Sequence, residues 1–213
     1  MEVEVKYALP SEDVLESIWN DSELEQISDM KSSERLPFLA VYYDTKNMAL
    51  RRAHYTLRAR SEGNTAFATV KWGGATQGAL HKREEINVAI DAEKVEEAPD
   101  VRLFNGSVAY EELKRLTENA ALQPILTMEF TRSRRRLTYK DNIIELALDI
   151  GKIVTDNGSA PILEMELEHY AGPDEDSVNE LGQKLAEKYG LTEESRSKFS
   201  RGMNLLTENA EKQ

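Results

Sequence analysis

The chain has 213 residues, of which 40% are hydrophobic and 31% are charged, and its formal net charge is −12. This composition is typical of a globular protein, and the acidic balance argues against sequence-independent nucleic-acid binding, which needs a strongly basic face. With no cysteine for disulfides, thiolate zinc sites or thiol nucleophiles, and no apolar run near the roughly 20 residues of a membrane span, we expect a soluble cytoplasmic protein that contacts neither nucleic acid nor membrane.

The first half of the chain alternates between strand and turn signals. Charged and apolar residues alternate over 2–8, which predicts a strand that Pro10 ends. Ser11 is a suitable N-cap for a helix predicted over about residues 11–28. Further strands are predicted over 38–43, 55–60, 66–72 and 80–90, with turns at 62–64, 73–74 and around Gly78.

The second half begins with an acidic stretch, 91–122, whose pattern is mainly helical. Strands follow over 123–139 and 162–170, with a hairpin over 130–150 that turns at 140–142, and helices over 174–189 and 193–208 complete the prediction. No clear linker divides these elements, so residues 1–213 are predicted to form one domain. About eight antiparallel strands with helices outside them predict the α+β class.

Charges of one sign cluster on one face of each predicted strand, where residues i, i+2 and i+4 lie together. The acidic positions are Glu2, Glu4, Glu145, Asp149, Glu164, Glu166 and Glu168, and the basic positions are Lys6, Arg58, Arg60, Lys71, Arg83, Arg132, Arg134 and Arg136. Like charges repel at that spacing unless an opposite charge lies between them. A solvated outer face is the alternative for any single strand, but the repetition favours a barrel whose charged faces point inward.

The two sets of side chains predict a ligand that joins them. Carboxylates bind Mg²⁺ and Mn²⁺, which are hard cations that prefer oxygen ligands. Arginines bind phosphate oxygens with paired hydrogen bonds. A polyphosphate satisfies both sets, because its oxygens contact metal and guanidinium alike.

These residues stand in an order that resembles the CYTH superfamily, the triphosphate tunnel metalloenzymes. The motif Glu2-x-Glu4-x-Lys6 comes first, and the similar segments after it are 42–45 (YYDT), 57–60 (LRAR), 69–71 (TVK), 80–88 (LHKREEINV), 144–151 (IELALDIG), 164–168 (EMELE) and 197–202 (SKFSRG). A lone ExExK motif would be a weak sign, whereas this ordered set spans nearly the whole chain. Within the family, the chain looks most like the catalytic module of bacterial inorganic triphosphatases, which often carry a following CHAD domain.

The resemblance implies a closed eight-stranded antiparallel β-barrel, a tunnel with a charged interior, and a role for each matching residue. The implied ligands of Mg²⁺ or Mn²⁺ are Glu2, Glu4, Asp149, Glu164, Glu166 and Glu168. The implied catalytic residues are Lys6, Glu4, Arg58 and Arg60, and the implied substrate-binding residues are Lys71, Arg83, Glu85, Arg132, Arg134 and Lys198. Which of Arg132, Arg134 and Arg136 faces the tunnel stays open, because a bulge would reverse the parity.

The implied reaction is metal-dependent hydrolysis of inorganic triphosphate to pyrophosphate and phosphate, by a monomer or a homodimer. Thiamine triphosphatase and class IV adenylate cyclase activity are alternatives on the same fold, and a non-catalytic polyphosphate-binding module is a third. No feature of the sequence indicates a purine pocket, which ranks the cyclase lower. A pure polyanion binder would not need several carboxylates facing its ligand.

Overall fold

Eight strands form a closed wall in a computed structural model that describes residues 2–118 and 120–208. They are β1 (Glu2–Ala8), β2 (Ser28–Thr45), β3 (Thr56–Glu62), β4 (Thr65–Gln77), β5 (Leu80–Ile90), β6 (Leu122–Tyr139), β7 (Asn142–Thr155) and β8 (Gly158–Ala171). The antiparallel order is β5-β4-β3-β2-β6-β7-β8-β1, and β5 also pairs with β1. The prediction of a closed eight-stranded antiparallel barrel is therefore confirmed.

Helices pack around this barrel, as predicted for the α+β class. They are α1 (Glu12–Trp19), α2 (Ser22–Gln26), α3 (Ala49–Arg52), α4 (Tyr110–Thr117), α5 (Ser177–Tyr189) and α6 (Lys198–Glu208). A two-residue strand, β9 (Thr192–Glu193), pairs with β1 beyond α5. None of the helices in the described ranges combines the length and apolar character that crossing a membrane requires.

The helix predicted over 11–28 is two helices in the structure. The first ends at Trp19 with Asn20 as its C-cap, and Asp21 caps the second, because its carboxylate accepts hydrogen bonds from the backbone N–H groups of Glu23 and Leu24. The chain then enters β2 at Ser28, earlier than the strand pattern indicates.

Three other boundaries also differ from the prediction. Among the described residues of the stretch 91–122, only α4 is an α-helix, and two single 3₁₀ turns precede it. The turn predicted at 73–74 is instead a bulge within β4, where the pairing with β5 shifts between Trp72 and Ala75. The last helix starts at Lys198 and not at residue 193.

The main apolar core lies between the outer face of the barrel and the helices. Val3, Val5 and Tyr7 of β1 are buried there and belong to the same cluster as Val178 and Leu181 of α5. Because side chains alternate across a strand, the intervening residues of β1 point into the barrel. The charged faces seen in the sequence therefore line the interior.

Helix α6 packs closely on strand residues and thereby brings its first turn to the cavity. Met203 is buried against a cluster that contains Leu126 and Ile153. Gly202 permits this approach, because a Cβ atom at that position would lie 2.8 Å from Leu126 and 2.9 Å from Ile153. A larger residue there would push the helix, and with it Lys198, away from the barrel.

Asp21 gives the fold a pH-dependent contribution to stability. Besides the two backbone donors, its carboxylate accepts a hydrogen bond from the hydroxyl of Tyr189 and lies 2.8 Å from the ammonium of Lys188. Burial raises the pKa of Asp21, but these partners outweigh it and lower the pKa to about 2.

We expect Asp21→Asn to lower the free energy of unfolding by about 1–2 kcal/mol near pH 7. Because the pKa of about 2 lies below the ordinary 3.8, the contribution is complete above about pH 5 and is lost as the pH falls through about 2. Urea unfolding between pH 7 and 3 should show the two proteins converging in acid. A constant difference would contradict the ion pair as its cause, and Glu16→Gln on the exposed face of α1 is the control.

Candidate active site

The barrel encloses a charged cavity of about 370 Å³. All of the site residues predicted from the sequence line it, except Asp149 and Glu164. Those two carboxylates are fully buried and contact Lys198, which does line the cavity. The structure therefore brings the predicted residues together in one place.

The register of β6 decides which arginines face the cavity. Its pairing with β7 is unbroken over residues 127–139, so alternate residues keep their faces. Arg132 and Arg134 line the cavity, whereas Arg135 points outward and stacks on Trp19, 4.8 Å from the ring centroid. Arg136 lies with its guanidinium 3.9 Å from the ring centroid of Tyr170 and is not part of the cavity wall.

One side of the cavity is basic and comes from β3, β4 and β5. Among the described residues, Arg58 and Arg83 form no ion pair with any carboxylate, and the buried Nε of Arg58 has no hydrogen-bond partner. Burial, together with repulsion from Arg58, lowers the pKa of Arg60 to about 10, so Arg60 is still a cation at neutral pH. This wall therefore carries positive charge that an anion would compensate.

Lys71 connects the basic wall to the acidic one. Its ammonium lies 2.7 Å from a carboxylate oxygen of Glu2 and also contacts Glu85. Although burial raises the pKa of Glu85, Lys71 and Arg58 outweigh that effect and hold it well below its usual range. Glu85 is thus an ionised partner of the basic wall.

A deep acidic trio lies on β7 and β8. Asp149, Glu164 and Glu166 each have a carboxylate oxygen within 4.8 Å of the others. Lys198 contacts all three carboxylates, at 2.7 Å from Asp149 and 2.9 Å from Glu166, and Arg132 makes two hydrogen bonds of 2.7 Å to Asp149. The trio is therefore compensated by side-chain cations.

A second acidic group lies where β7, β8 and β1 are neighbours. Glu168 pairs in register with Glu4 on one side and with Glu145 on the other. Burial, followed by repulsion from Glu2, Glu4 and Glu145, raises the pKa of Glu168 to about 8. Here the carboxylates outnumber their cations, and a bound divalent ion would relieve that repulsion.

Lys6 lies between the two acidic groups. Its ammonium is 2.9 Å from Glu4 and 3.2 Å from Glu166, and its side chain is almost fully buried. Burial lowers the pKa of Lys6, but the attraction of Glu166 and Glu4 is greater and raises it above the ordinary value. Lys6 is therefore a permanent ammonium that donates hydrogen bonds and does not act as a base.

Several cavity residues have no role in the sequence prediction. Glu62 ion-pairs with Arg60 at 2.7 Å and with Arg134 at 3.4 Å, although its sequence context reads as a turn. The sequence did contain a sign of this position, because Glu62 follows Arg58 and Arg60 at the i+4 and i+2 spacing that places residues on one face of a strand. Tyr42 and Asn87 also line the cavity, and Arg201 contacts the carboxylate of Glu164.

Two aromatic rings stack on one wall of the cavity. Phe38 and Phe130 lie with ring centroids 5.0 Å apart. The guanidinium of Arg132 lies 5.3 Å from the Phe38 centroid, and the ammonium of Lys198 lies 5.5 Å from that of Phe130. The rings therefore hold cations over the cavity through cation–π contacts.

Comparison with known proteins agrees with this geometry. The CYTH domain family matches residues 1–203. An inorganic triphosphatase from Haemophilus influenzae is 33% identical over 131 residues, which are 62% of this chain and 35% of that protein. The match thus spans about a third of the length of that relative.

Solved structures with the same fold have low sequence identity. A candidate adenylyl cyclase from Hippeastrum with a dominant triphosphatase activity has a TM-score of 0.66 at 17% identity, with 96% of each chain covered. A protein from Pyrococcus horikoshii has a TM-score of 0.59 at 19% identity, with 96% of this chain and 99% of that chain covered. These structures show the fold alone, and the family match confirms the resemblance seen in the sequence motifs.

Proposed function

Because the chain belongs to the CYTH domain family, we propose that it is a divalent-metal-dependent triphosphatase that hydrolyses inorganic triphosphate to pyrophosphate and phosphate. One observation carries the proposal: a wall on which Arg58 and Arg83 have no carboxylate partner among the described residues faces, across a single cavity, a wall on which carboxylates crowd around Glu168. A phosphate chain fits the first wall, and a hard cation fits the second. We also propose that the chain acts as a single tunnel domain, as a monomer or homodimer, in the cytoplasm.

The proposed metal ligands are carboxylates on both acidic groups. They are Glu2, Glu4, Asp149, Glu164, Glu166 and Glu168. We favour Glu2, Glu4 and Glu168 for the first ion, since Lys198 already compensates the deep trio. When bound, Mg²⁺ or Mn²⁺ would neutralise charge on the phosphate oxygens as the terminal phosphoryl group is displaced.

The side chains of this protein would supply binding, orientation and charge. Arg58 and Arg83 have donors available for phosphate oxygens, and Arg60 and Lys71 add charge beside them. Arg132 and Lys198 reach the cavity from the opposite side while they hold the acidic trio. Lys6, as a fixed ammonium, orients the phosphoryl group or the attacking water.

The stacked rings of Phe38 and Phe130 bear on the choice between inorganic triphosphate and the organic substrates thiamine triphosphate and ATP. A thiamine or adenine ring would need a free aromatic or apolar face for stacking. The faces of Phe38 and Phe130 are used by each other and by Arg132 and Lys198. This arrangement supports inorganic triphosphate over the organic substrates.

The first experiment measures phosphate release from inorganic triphosphate, thiamine triphosphate, ATP and pyrophosphate, with Mg²⁺, with Mn²⁺ and with chelator. We expect rapid turnover of inorganic triphosphate that chelator abolishes and added metal restores. Preference for thiamine triphosphate or ATP would move the function to another member of the family. Tight triphosphate binding without turnover under any metal would leave a binding module.

A further inference from the structure

We propose that Tyr42 is a substrate-binding residue whose hydroxyl donates a hydrogen bond to a phosphate oxygen of the bound chain. This inference rests on the proposed function, since it concerns the same cavity and the same triphosphate. The motif YYDT contributes Tyr42 to the cavity wall, where no role has yet been given to it.

The hydrogen bonds around Tyr42 leave its hydroxyl hydrogen unused. The hydroxyl oxygen accepts a hydrogen bond from Nη1 of Arg58 at 3.3 Å. In the part of the chain that the structure describes, no acceptor receives the hydrogen of that hydroxyl. A buried donor without an acceptor is costly unless a ligand or water completes it, and Tyr42 as a residue is only 7% exposed.

The charges around the hydroxyl specify what kind of acceptor would complete it. The electrostatic neighbours of Tyr42 are cations: Arg58, Lys71 and Lys198. Burial raises the pKa of the phenol, but these cations outweigh burial and lower it below the usual value. An anionic oxygen is therefore the acceptor that this corner of the cavity favours, and triphosphate presents such oxygens.

The position of Tyr42 matches that of Arg58 across the sheet. The two residues are directly opposite on β2 and β3, and the Cζ atom of Arg58 lies 6.0 Å from the centroid of the Tyr42 ring. The unpartnered Nε of Arg58 and the hydroxyl of Tyr42 are thus donors on adjacent strands of one wall. Such a pair is suited to two oxygens of one phosphoryl group.

A packing role alone does not account for the hydroxyl. The ring of Tyr42 stacks on Phe199 of α6, with centroids 5.0 Å apart, and it belongs to the cluster under that helix. A phenylalanine ring would make the same contacts, so packing does not require the oxygen. Tyr42→Phe therefore removes the proposed donor while it keeps the stack.

The neighbouring residue provides a matched control. Tyr43 lies on the opposite face of β2, is also buried, and donates a hydrogen bond to the carbonyl oxygen of Val95 at 3.2 Å. Tyr43→Phe is the same chemical change, one residue away, outside the cavity. Both variants should unfold within a few degrees of wild type, because neither loses ring packing.

The test is calorimetric titration of inorganic triphosphate, in chelator so that no turnover occurs. Wild type should bind, Tyr42→Phe should bind about 10- to 100-fold more weakly, and Tyr43→Phe should bind as wild type does. No binding by wild type in chelator, together with no turnover of triphosphate when Mg²⁺ or Mn²⁺ is present, would reject the proposed function itself. Binding by wild type with unchanged affinity in Tyr42→Phe would overturn the role of the hydroxyl alone.

A double-mutant cycle separates direct donation from an effect through Arg58. The affinity of the Arg58→Met protein for triphosphate is measured by displacement of a more weakly bound anion. In that background, Tyr42→Phe should still lower the affinity by most of its original factor. A cost that vanishes in that background would overturn direct donation, because Tyr42 would then act only by placing the guanidinium.

Discussion

Substitution of Arg58 by methionine is expected to lower kcat/KM for inorganic triphosphate by about 10²- to 10³-fold, the usual loss when one preorganised donor is removed from a developing charge. Arg58 is buried in the cavity and has no carboxylate partner among the described residues, so its charge is available to the phosphate chain. Burial lowers its pKa, yet Tyr42 and Glu85 outweigh burial and raise it, so the guanidinium is charged at every working pH.

Arg134→Met should lower kcat/KM for inorganic triphosphate by less than about tenfold, although Arg134 also lines the cavity. Its guanidinium is already bound by carboxylates on three strands: Glu34 at 2.7 Å, Glu62 at 3.4 Å and Glu145 at 3.8 Å. N–H groups that already donate to carboxylates are less available to a phosphate oxygen.

Steady-state kinetics of Arg58→Met, Arg134→Met and Arg136→Met measure how much each arginine contributes to kcat/KM. Arg136 lies on the same strand face but outside the cavity, over Tyr170, and its loss should leave kcat/KM within about twofold of wild type. Equal losses for Arg58→Met and Arg134→Met would contradict the division of the arginines by their partners. Circular dichroism and thermal unfolding exclude misfolding as the cause.

The barrel itself could be predicted because its signal is local and repeated. Alternation along a strand fixes which residues share a face, and clustered charge on that face indicates a polar interior. Parity put Arg132 and Arg134 on one face of β6 but left open whether that face points inward; the structure places both at the cavity, since no bulge interrupts β6 opposite β7.

Other features depend on contacts that the sequence pattern does not contain. The break at Asp21 comes from a capping carboxylate that the spacing of apolar residues does not show, and Lys188 and Tyr189, far along the chain, add contacts to it. The bulge at Gly73 and Gly74 arises within the pairing of β4 and β5. Periodicity reports only the local face of a residue, so neither feature could be predicted from it.

The ion pairs of the site were also beyond sequence reasoning. The motif residue Lys198 was expected to bind phosphate, yet it contacts Asp149, Glu164 and Glu166. Which carboxylate meets which cation depends on the approach of α6 to the barrel, and that approach depends on the small size of Gly202. The residue types were therefore predictable, whereas their partners required the fold.

Substitution of Lys198 by methionine tests whether the ion pairs of Lys198 stabilise the folded protein. Methionine keeps most of the apolar stem of the side chain but removes the ammonium, so the buried trio loses a shared counter-ion. Removing one partner of a buried ion pair typically costs 3–5 kcal/mol, because the remaining charge stays buried without compensation. For a protein of this size, the melting temperature should fall by roughly 6–20 °C.

The exposed Lys184 supplies the control for that substitution. It lies 3.1 Å from Glu180 on the surface of α5, where an i,i+4 ion pair is worth about 0.5 kcal/mol at most, so Lys184→Met should barely change the melting temperature. Adding Glu164→Gln to Lys198→Met should recover part of the loss, because one of the uncompensated carboxylates is then neutral. Strict additivity of the two substitutions would mean that Lys198 does not stabilise the protein through its contact with Glu164.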